Sequence, residues 1–109
     1  MKVAAIQHDV VWEDPAATFE HVAPLVAFAA DQGARLAVLT EMYATGFSMA
    51  TERIAEPDDG PSTAFLVAQA TRHDLWVGAS VPTYAAMPVP ADWRWSGCTG
   101  CWRRPTAII

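Results

Sequence analysis

The chain has 109 residues, of which 52% are apolar and 17% are charged, a composition typical of one small globular domain rather than a disordered segment. Its formal net charge of −5 argues against nucleic acid and anionic membranes as partners, because both attract basic surfaces. No apolar run reaches the length of a membrane span, and the stretch after Lys2 is too short for a secretory signal, so we expect a cytoplasmic protein.

The chain begins with a short apolar segment over residues 3–6, which predicts a buried strand. Asp14 and Pro15 then form a typical helix start, in which Asp caps and Pro occupies the first helical position. An amphipathic helix is predicted from about residue 15 to residue 32. Because a proline inside a helix removes a hydrogen bond, we expect a kink or a local break at Pro24.

The next elements repeat this alternation. A second strand is predicted over residues 36–40, followed by a loop with a helical turn near residues 51–55. A second helix runs from Pro61 or Ser62 to about residue 73, and a third strand covers residues 75–80. The order β-α-β-α-β predicts an α/β fold with a parallel sheet and right-handed crossovers.

The composition changes after this third strand. Residues 1–82 hold eleven acidic and four basic residues, whereas residues 83–109 hold one acidic residue and three arginines. The second segment also holds both cysteines and three of the five tryptophans, and it fits neither a helix nor a strand pattern. Such a change usually marks a boundary. We therefore predict one domain over residues 1–82 and an unassigned tail over residues 83–109.

The strand at residues 36–40 is followed at once by an ionisable residue, Glu41. A buried strand that ends in this way places the residue at the rim of the sheet, where open α/β folds bind ligands. A carboxylate there is partly removed from water, which suits a general base. A single such glutamate is more often a solvated strand end or a partner of a helix cap, so the segments around it decide the interpretation.

Three segments resemble the amino-terminal part of the nitrilase superfamily, the carbon–nitrogen hydrolases, and they occur in the family's order: Met1-Lys-Val-Ala-Ala-Ile-Gln7, Gln32-Gly-Ala-Arg-Leu-Ala-Val-Leu-Thr-Glu41 and Trp76-Val-Gly-Ala-Ser-Val-Pro82. The segment Glu41-Met-Tyr-Ala-Thr-Gly-Phe-Ser-Met49 is most similar to the ω-amidases, which hydrolyse the terminal amide of 2-oxo acid amides. The resemblance implies the first part of an αββα sandwich and a small-molecule amide substrate. It also implies a mechanism without a cofactor and a homo-oligomer for the full-length protein.

Members of this family use a cysteine, a glutamate and a lysine to hydrolyse the C–N bond through a thioester. The resemblance assigns Glu41 as the glutamate that acts as general base, and Tyr43, Thr45 and Phe47 as residues at the mouth of the substrate pocket. Ordinary loop and core packing is an equal alternative for those three. The catalytic lysine has no counterpart, because the only lysine, Lys2, precedes the first strand. We therefore expect a truncated hydrolase that is inactive alone.

The two cysteines, Cys98 and Cys101, also do not match the family's nucleophile, because they follow the third strand too closely and lack the acidic, arginine-containing stretch of the family. Their C-x-x-C spacing is compatible with a redox pair or with half of a zinc site. A zinc site needs two further ligands, and His8, His21 and His73 have no paired spacing. Two free thiols are the simpler interpretation, so no metal site is predicted.

The tail has a genetic interpretation as well. When each new codon starts at the third base of an old one, Asp92-Trp-Arg-Trp95 becomes Leu-Ala and an apolar residue, provided that Arg94 has a CGN codon. We hypothesise a frameshift after about Pro82 in a carbon–nitrogen hydrolase. One alternative is a non-catalytic module that binds another chain through an exposed sheet edge. A small metal or redox module centred on the C-x-x-C pair is the other.

Overall fold

The computed structural model describes residues 1–84 and the backbone of three short strands beyond them. The elements in chain order are β1 (Val3–Ala5), α1 (Pro15–Asp31), β2 (Leu36–Val38), α2 (Thr51–Ile54), α3 (Pro61–His73), β3 (Trp76–Gly78), β4 (Ser80–Val81), β5 (Thr99–Gly100), β6 (Arg103–Arg104) and β7 (Ala107–Ile108). The predicted α/β class is confirmed. Among the described residues, no helix is both long and apolar enough to cross a bilayer.

The centre of the main sheet is parallel. β1 pairs with β2 and β2 with β3, so that Ala4, Ala37 and Val77 lie side by side. Backbone bonds extend both pairings by one residue, since the Ile6 N–H donates to Val38 O and the Leu39 N–H donates to Gly78 O, each at 2.8 Å. Because the three strands run in one direction, their carboxyl ends meet at one edge of the sheet.

Residues 83–109 fit neither a helix nor a strand pattern, yet three short strands lie there. β6 pairs antiparallel with β3 and β7 pairs with β6, which gives the strand order β1-β2-β3-β6-β7. The predicted third strand is also divided, because β4 leaves this sheet and pairs antiparallel with β5. Each of these additional strands has two residues. Elements of that length show no alternation of apolar and polar residues that a sequence pattern could reveal.

Helix α1 begins as predicted and ends one residue before its predicted end. The Asp14 carboxylate accepts the Ala17 N–H at 3.1 Å, and Pro15 follows this cap. The expected local break at Pro24 is wrong, since the helix runs through this residue to Asp31. Pro24 and Glu20, whose carbonyl would have received the missing bond, both lie on the exposed side of the helix. Water can therefore satisfy that carbonyl.

One face of the sheet is covered by α1 and α3. Side chains of both helices meet the central residues of β2 and β3, and the rings of Phe19 and Phe65 stack with their centroids 4.4 Å apart. The buried cluster consists of Val22, Val26, Ala37, Leu39, Tyr43, Ala44, Leu66, Ala70, Leu75, Val77 and Val81. This cluster is the only large core among the described residues, and it fixes β2 and β3 beneath the loop that follows β2.

The opposite face of the sheet is open among the described residues. Val3 and Val38 are 50% and 36% exposed, whereas Ala37, which points to the helices, is fully buried. The difference follows from the alternation of side chains along a strand. A sheet that has helices on one face only is what the first part of an αββα sandwich would present.

Candidate functional site

Three polar residues follow the three parallel strands at the edge where these strands end. His8 lies after β1, Glu41 lies after β2, and Ser80 lies after β3. Parallel strands place their carboxyl ends together, so the edge collects side chains that are more than thirty residues apart in sequence. This edge contains the one catalytic residue that the sequence predicts, and it is the candidate active site.

Both chain neighbours of Glu41 are hydrogen-bonded to residues that follow the adjacent strands β1 and β3. On one side, Thr40 Oγ1 and His8 Nε2 are 3.1 Å apart. On the other side, the Met42 N–H donates to Ser80 Oγ at 2.7 Å. The backbone that carries Glu41 is therefore fixed from the β1 side and from the β3 side.

The side chain of Glu41 is exposed. The expectation that this carboxylate is partly removed from water is therefore wrong for the described part of the chain. The physical reason is the course of the loop. Residues 42–45 are buried in the core, whereas none of the described residues packs over Glu41. An exposed carboxylate at the sheet edge can still accept a proton from a group that approaches from solvent.

Tyr43 and Thr45 lie in the core instead of at a pocket mouth. Tyr43 is fully buried and donates its hydroxyl to Ser62 O at 2.6 Å, and Thr45 is almost fully buried. The packing alternative thus describes both residues in this structure. The loop after Glu41 is attached to the core through them, because a large aromatic ring with a satisfied hydroxyl is a stable anchor.

Phe47 is the exposed member of the predicted substrate-binding set, at 63% exposure. Two further apolar side chains, Trp12 and Met49, are also exposed and were not predicted from the sequence. Trp12 lies over Gly46, since a Cβ on Gly46 would come within 2.9 Å of Trp12 Cε3. A lone tryptophan in a loop has no periodicity, so only its contact in the structure reveals its place near Phe47.

A second polar cluster ties the segment before α1 to the segment after the Glu41 loop. Glu13 accepts hydrogen bonds from Ser48 Oγ and from the guanidinium of Arg53. The Ser48 hydrogen bond, and after it the Arg53 hydrogen bond, hold the pKa of Glu13 below its ordinary value of 4.5. Sequence analysis missed this cluster because 35 and 40 residues separate its members.

Two open cavities lie away from Glu41. One, of about 270 Å³, lies between β1 and α1 and is lined by residues that include Lys2, Leu25 and Phe28. The other, of about 480 Å³, lies along α3 and is lined by residues that include Asp58 and Val67. Neither cavity places polar groups next to the candidate base, so neither forms part of the candidate active site.

Within the described residues, no group of three or more His, Cys, Asp and Glu side chains is arranged to hold a metal ion. The predicted interpretations of Cys98 and Cys101 lie outside the described residues.

The sequence profile of the carbon–nitrogen hydrolase family matches residues 2–99. The chain belongs to the carbon–nitrogen hydrolase family. The predicted membership of the nitrilase superfamily is thereby confirmed at the level of the family. A search of curated protein sequences finds no match.

Solved structures of this family have the same fold as the chain. XC1258 from Xanthomonas campestris, a CN-hydrolase superfamily protein with an arsenic adduct in its active site, superposes with a TM-score of 0.70 and 30% identity, over 77% of this chain and 31% of that chain. The amidase from Nesterenkonia sp. AN1 superposes with a TM-score of 0.60 and 22% identity, over 73% and 32% of the two chains. A glutamate-to-glutamine mutant of that amidase, with acrylamide added to its active-site cysteine, gives a TM-score of 0.60 and 21% identity, over the same shares. The chain spans about a third of the length of these proteins.

Proposed function

We propose that this chain is the amino-terminal part of an amide-hydrolysing carbon–nitrogen hydrolase and that Glu41 is its general base. The observation that carries the proposal is the position of Glu41, exposed in the turn after β2, with both chain neighbours hydrogen-bonded to residues that follow β1 and β3. A general base has to be fixed in place and reachable by the group that it deprotonates. The exposure of Glu41 and the hydrogen bonds of its two neighbours support this role.

The proposed reaction is acyl transfer through a thioester. Glu41 accepts the proton of a cysteine thiol, the thiolate sulfur bonds to the amide carbon, and the C–N bond breaks as the leaving nitrogen takes that proton. Glu41 then takes a proton from water, whose oxygen bonds to the acyl carbon as the C–S bond breaks; the carboxylic acid leaves and Glu41 returns the proton to the sulfur. A lysine ammonium stabilises the oxyanion in both steps. The lysine and the cysteine would come from outside residues 1–84, so we expect the 109-residue chain to be inactive alone.

The substrate that we propose is a small 2-oxo acid amide. The support is the resemblance of residues 41–49 to ω-amidases, together with the exposed apolar surface of Phe47 in that segment. Phe47 would contact the carbon skeleton of the substrate at the pocket mouth, whereas the buried Tyr43 and Thr45 would support the loop from below. The cytoplasmic location and the homo-oligomer of a full-length protein remain predictions, as do the boundary at residue 82 and the frameshift.

The first experiment is to sequence the locus from the codon of Trp76 to well beyond that of Ile109 and to translate all three frames. A frame that continues with a lysine at a strand end, and later with a cysteine before an acidic, arginine-containing stretch, is the expected result. The restored protein should release ammonia from a 2-oxo acid amide, and Glu41→Gln should abolish this activity, whereas Glu20→Gln on the exposed side of α1 should not. If every frame closes, the enzyme proposal fails.

A non-catalytic interaction fragment is the second candidate, and the open face of the sheet favours it. Exposed apolar side chains on a sheet attract other apolar surfaces. Under this candidate, Val38→Thr should reduce self-association in sedimentation experiments and reduce the fluorescence of the dye ANS. Val77→Thr is the matched control on the buried face, where the same change should instead lower the melting temperature. Unchanged sedimentation and ANS fluorescence in Val38→Thr would contradict this candidate.

A further inference from the structure

We propose that Ser80 is a positioning residue for Glu41, which it holds through the backbone of Met42. The inference rests on the proposed role of Glu41 as general base, and its geometric part can be tested separately. Ser80 does not contact the carboxylate in the described hydrogen bonds; its hydroxyl oxygen accepts the N–H of the residue that follows Glu41, at 2.7 Å.

Met42, the residue after Glu41, has an unfavourable backbone conformation. Its φ is +47°, in the left-handed region that side chains with a Cβ disfavour. Outliers of this kind persist only where the surroundings hold them in place, and they are concentrated at functional sites. Here the outlier immediately follows the candidate general base.

Hydrogen bonds and burial hold Met42 in this conformation. Its carbonyl accepts the N–H groups of Thr45 at 3.2 Å and of Gly46 at 2.9 Å, both within the same turn. Its side chain is buried, at 6% exposure. Its N–H donates to Ser80, which belongs to another strand. The Ser80 bond is thus the described hydrogen bond that ties this turn, at Met42, to the sheet edge.

The hydrogen bond from Met42 to Ser80 also affects the direction of Glu41. The peptide that joins Glu41 to Met42 contains the very N–H group that Ser80 accepts, so the orientation of this peptide plane is fixed by Ser80. The bond between Thr40 and His8 on the other side joins two side chains and does not involve the peptide after Glu41. Since a general base loses efficiency when it is displaced by even 1 Å or so, control of this peptide controls the base.

Amide hydrogen exchange of the 109-residue chain, followed by NMR, tests the geometry. In the wild type, the Met42 amide should be protected, and Ser80→Ala should raise its exchange rate at least tenfold. The amides of Ile6 and Leu39, which bond within the sheet, should not change. Ser80→Thr keeps the hydroxyl and should retain the protection. If Ser80→Ala unfolds the chain, Ser80→Cys replaces it, because a thiol fills the same place but accepts weakly.

An unprotected Met42 amide in the wild type would overturn the inference, and so would unchanged exchange at Met42 in Ser80→Ala or in a folded Ser80→Cys. A second readout separates positioning from mere stabilisation of the fold. The ¹³C chemical shift of the Glu41 backbone carbonyl, which shares a peptide with the Met42 N–H, should change in Ser80→Ala and recover in Ser80→Thr, while those of Glu20 and Glu52 stay constant. If Ser80→Ala lowers the melting temperature but leaves the chemical shift of the Glu41 carbonyl unchanged, Ser80 is structural only and the inference fails.

The inference and the proposed function can fail independently. If the exchange and chemical-shift results are as expected but Glu41→Gln retains activity in the restored enzyme, Ser80 does fix this peptide and Glu41 is not the base. If Glu41→Gln is inactive but Ser80→Ala leaves the exchange of Met42 unchanged, the general base is correctly assigned and the role of Ser80 is not.

Discussion

Glu13 and Arg53 form a two-point ion pair across 40 residues of sequence, with Nε donating to Oε2 at 3.0 Å and Nη2 donating to Oε1 at 2.9 Å. Ser48 adds a third hydrogen bond to the same carboxylate. The pair joins the segment before α1 to α2. Because Glu13 bonds to both Ser48 and Arg53, it also fixes the end of the loop that starts at Glu41. The geometry of the candidate site therefore depends in part on a contact outside it.

Replacement of Glu13 by Gln should make the free energy of unfolding less dependent on pH in the acidic range. The folded-state pKa of Glu13 lies below its ordinary value of 4.5, so its ionised form stabilises the fold above that value, and this contribution is lost as the pH falls through the lowered pKa. The difference in urea midpoint between wild type and Glu13→Gln should be largest above about pH 5 and should shrink in acid. Glu20→Gln is the control, and a similar pH dependence there would contradict this account.

Gly46 should tolerate alanine less well than Gly33 does. Both have positive φ, +75° and +81°, so each Gly→Ala change costs about 1 kcal/mol in backbone strain. Only Gly46→Ala also places a Cβ 2.9 Å from the Trp12 ring, whereas nothing lies within 4 Å of a Cβ at Gly33. Urea unfolding should show the larger loss for Gly46→Ala. In a Trp12→Ala background the two losses should become equal, and a persistent difference would refute the contact with Trp12.

Tyr43 and Phe47 should respond to substitution in opposite ways. Tyr43→Phe removes the buried hydrogen bond to Ser62 O and should cost about 1 kcal/mol of unfolding free energy. Phe47→Ala removes an exposed ring and should change stability by less than about 0.5 kcal/mol. In the restored enzyme, Phe47→Ala should raise KM for the amide. A large loss of stability in Phe47→Ala would show that this ring packs as core.

Replacement of Asp74 by glycine should raise the stability of the chain. It ends α3 in the left-handed conformation, with φ +47° and ψ +49°, and its N–H caps Ala70 O. Glycine adopts this conformation without the clash of a Cβ, so Asp74→Gly should stabilise the chain by about 1 kcal/mol in thermal unfolding. Asp74→Ala removes the same carboxylate but keeps a Cβ, and it should give no such gain. Equal melting temperatures for the two variants would contradict a backbone origin of the effect.

Features set by neighbours in the chain could be predicted from the sequence. The helix at Pro61–His73 has its predicted bounds, and α1 ends within one residue of its prediction, because a cap, an N-terminal proline and an apolar stripe all act locally. The three parallel strands and the position of Glu41 after the second of them follow from the same kind of signal. The family resemblance relies on these segments, and the family match confirms it.

Only the tertiary structure decided which residues meet and which are removed from water. The donation from Met42 to Ser80 spans 38 residues, and the pairing of β3 with β6 brings together segments whose order alone predicts no contact. Burial of Tyr43 and exposure of Glu41, which are two residues apart, depend on how the loop meets α1 and α3. The physical reason is that hydrogen-bond partners and solvent exposure belong to the packed arrangement of distant segments, whereas caps and periodicity belong to the local chain.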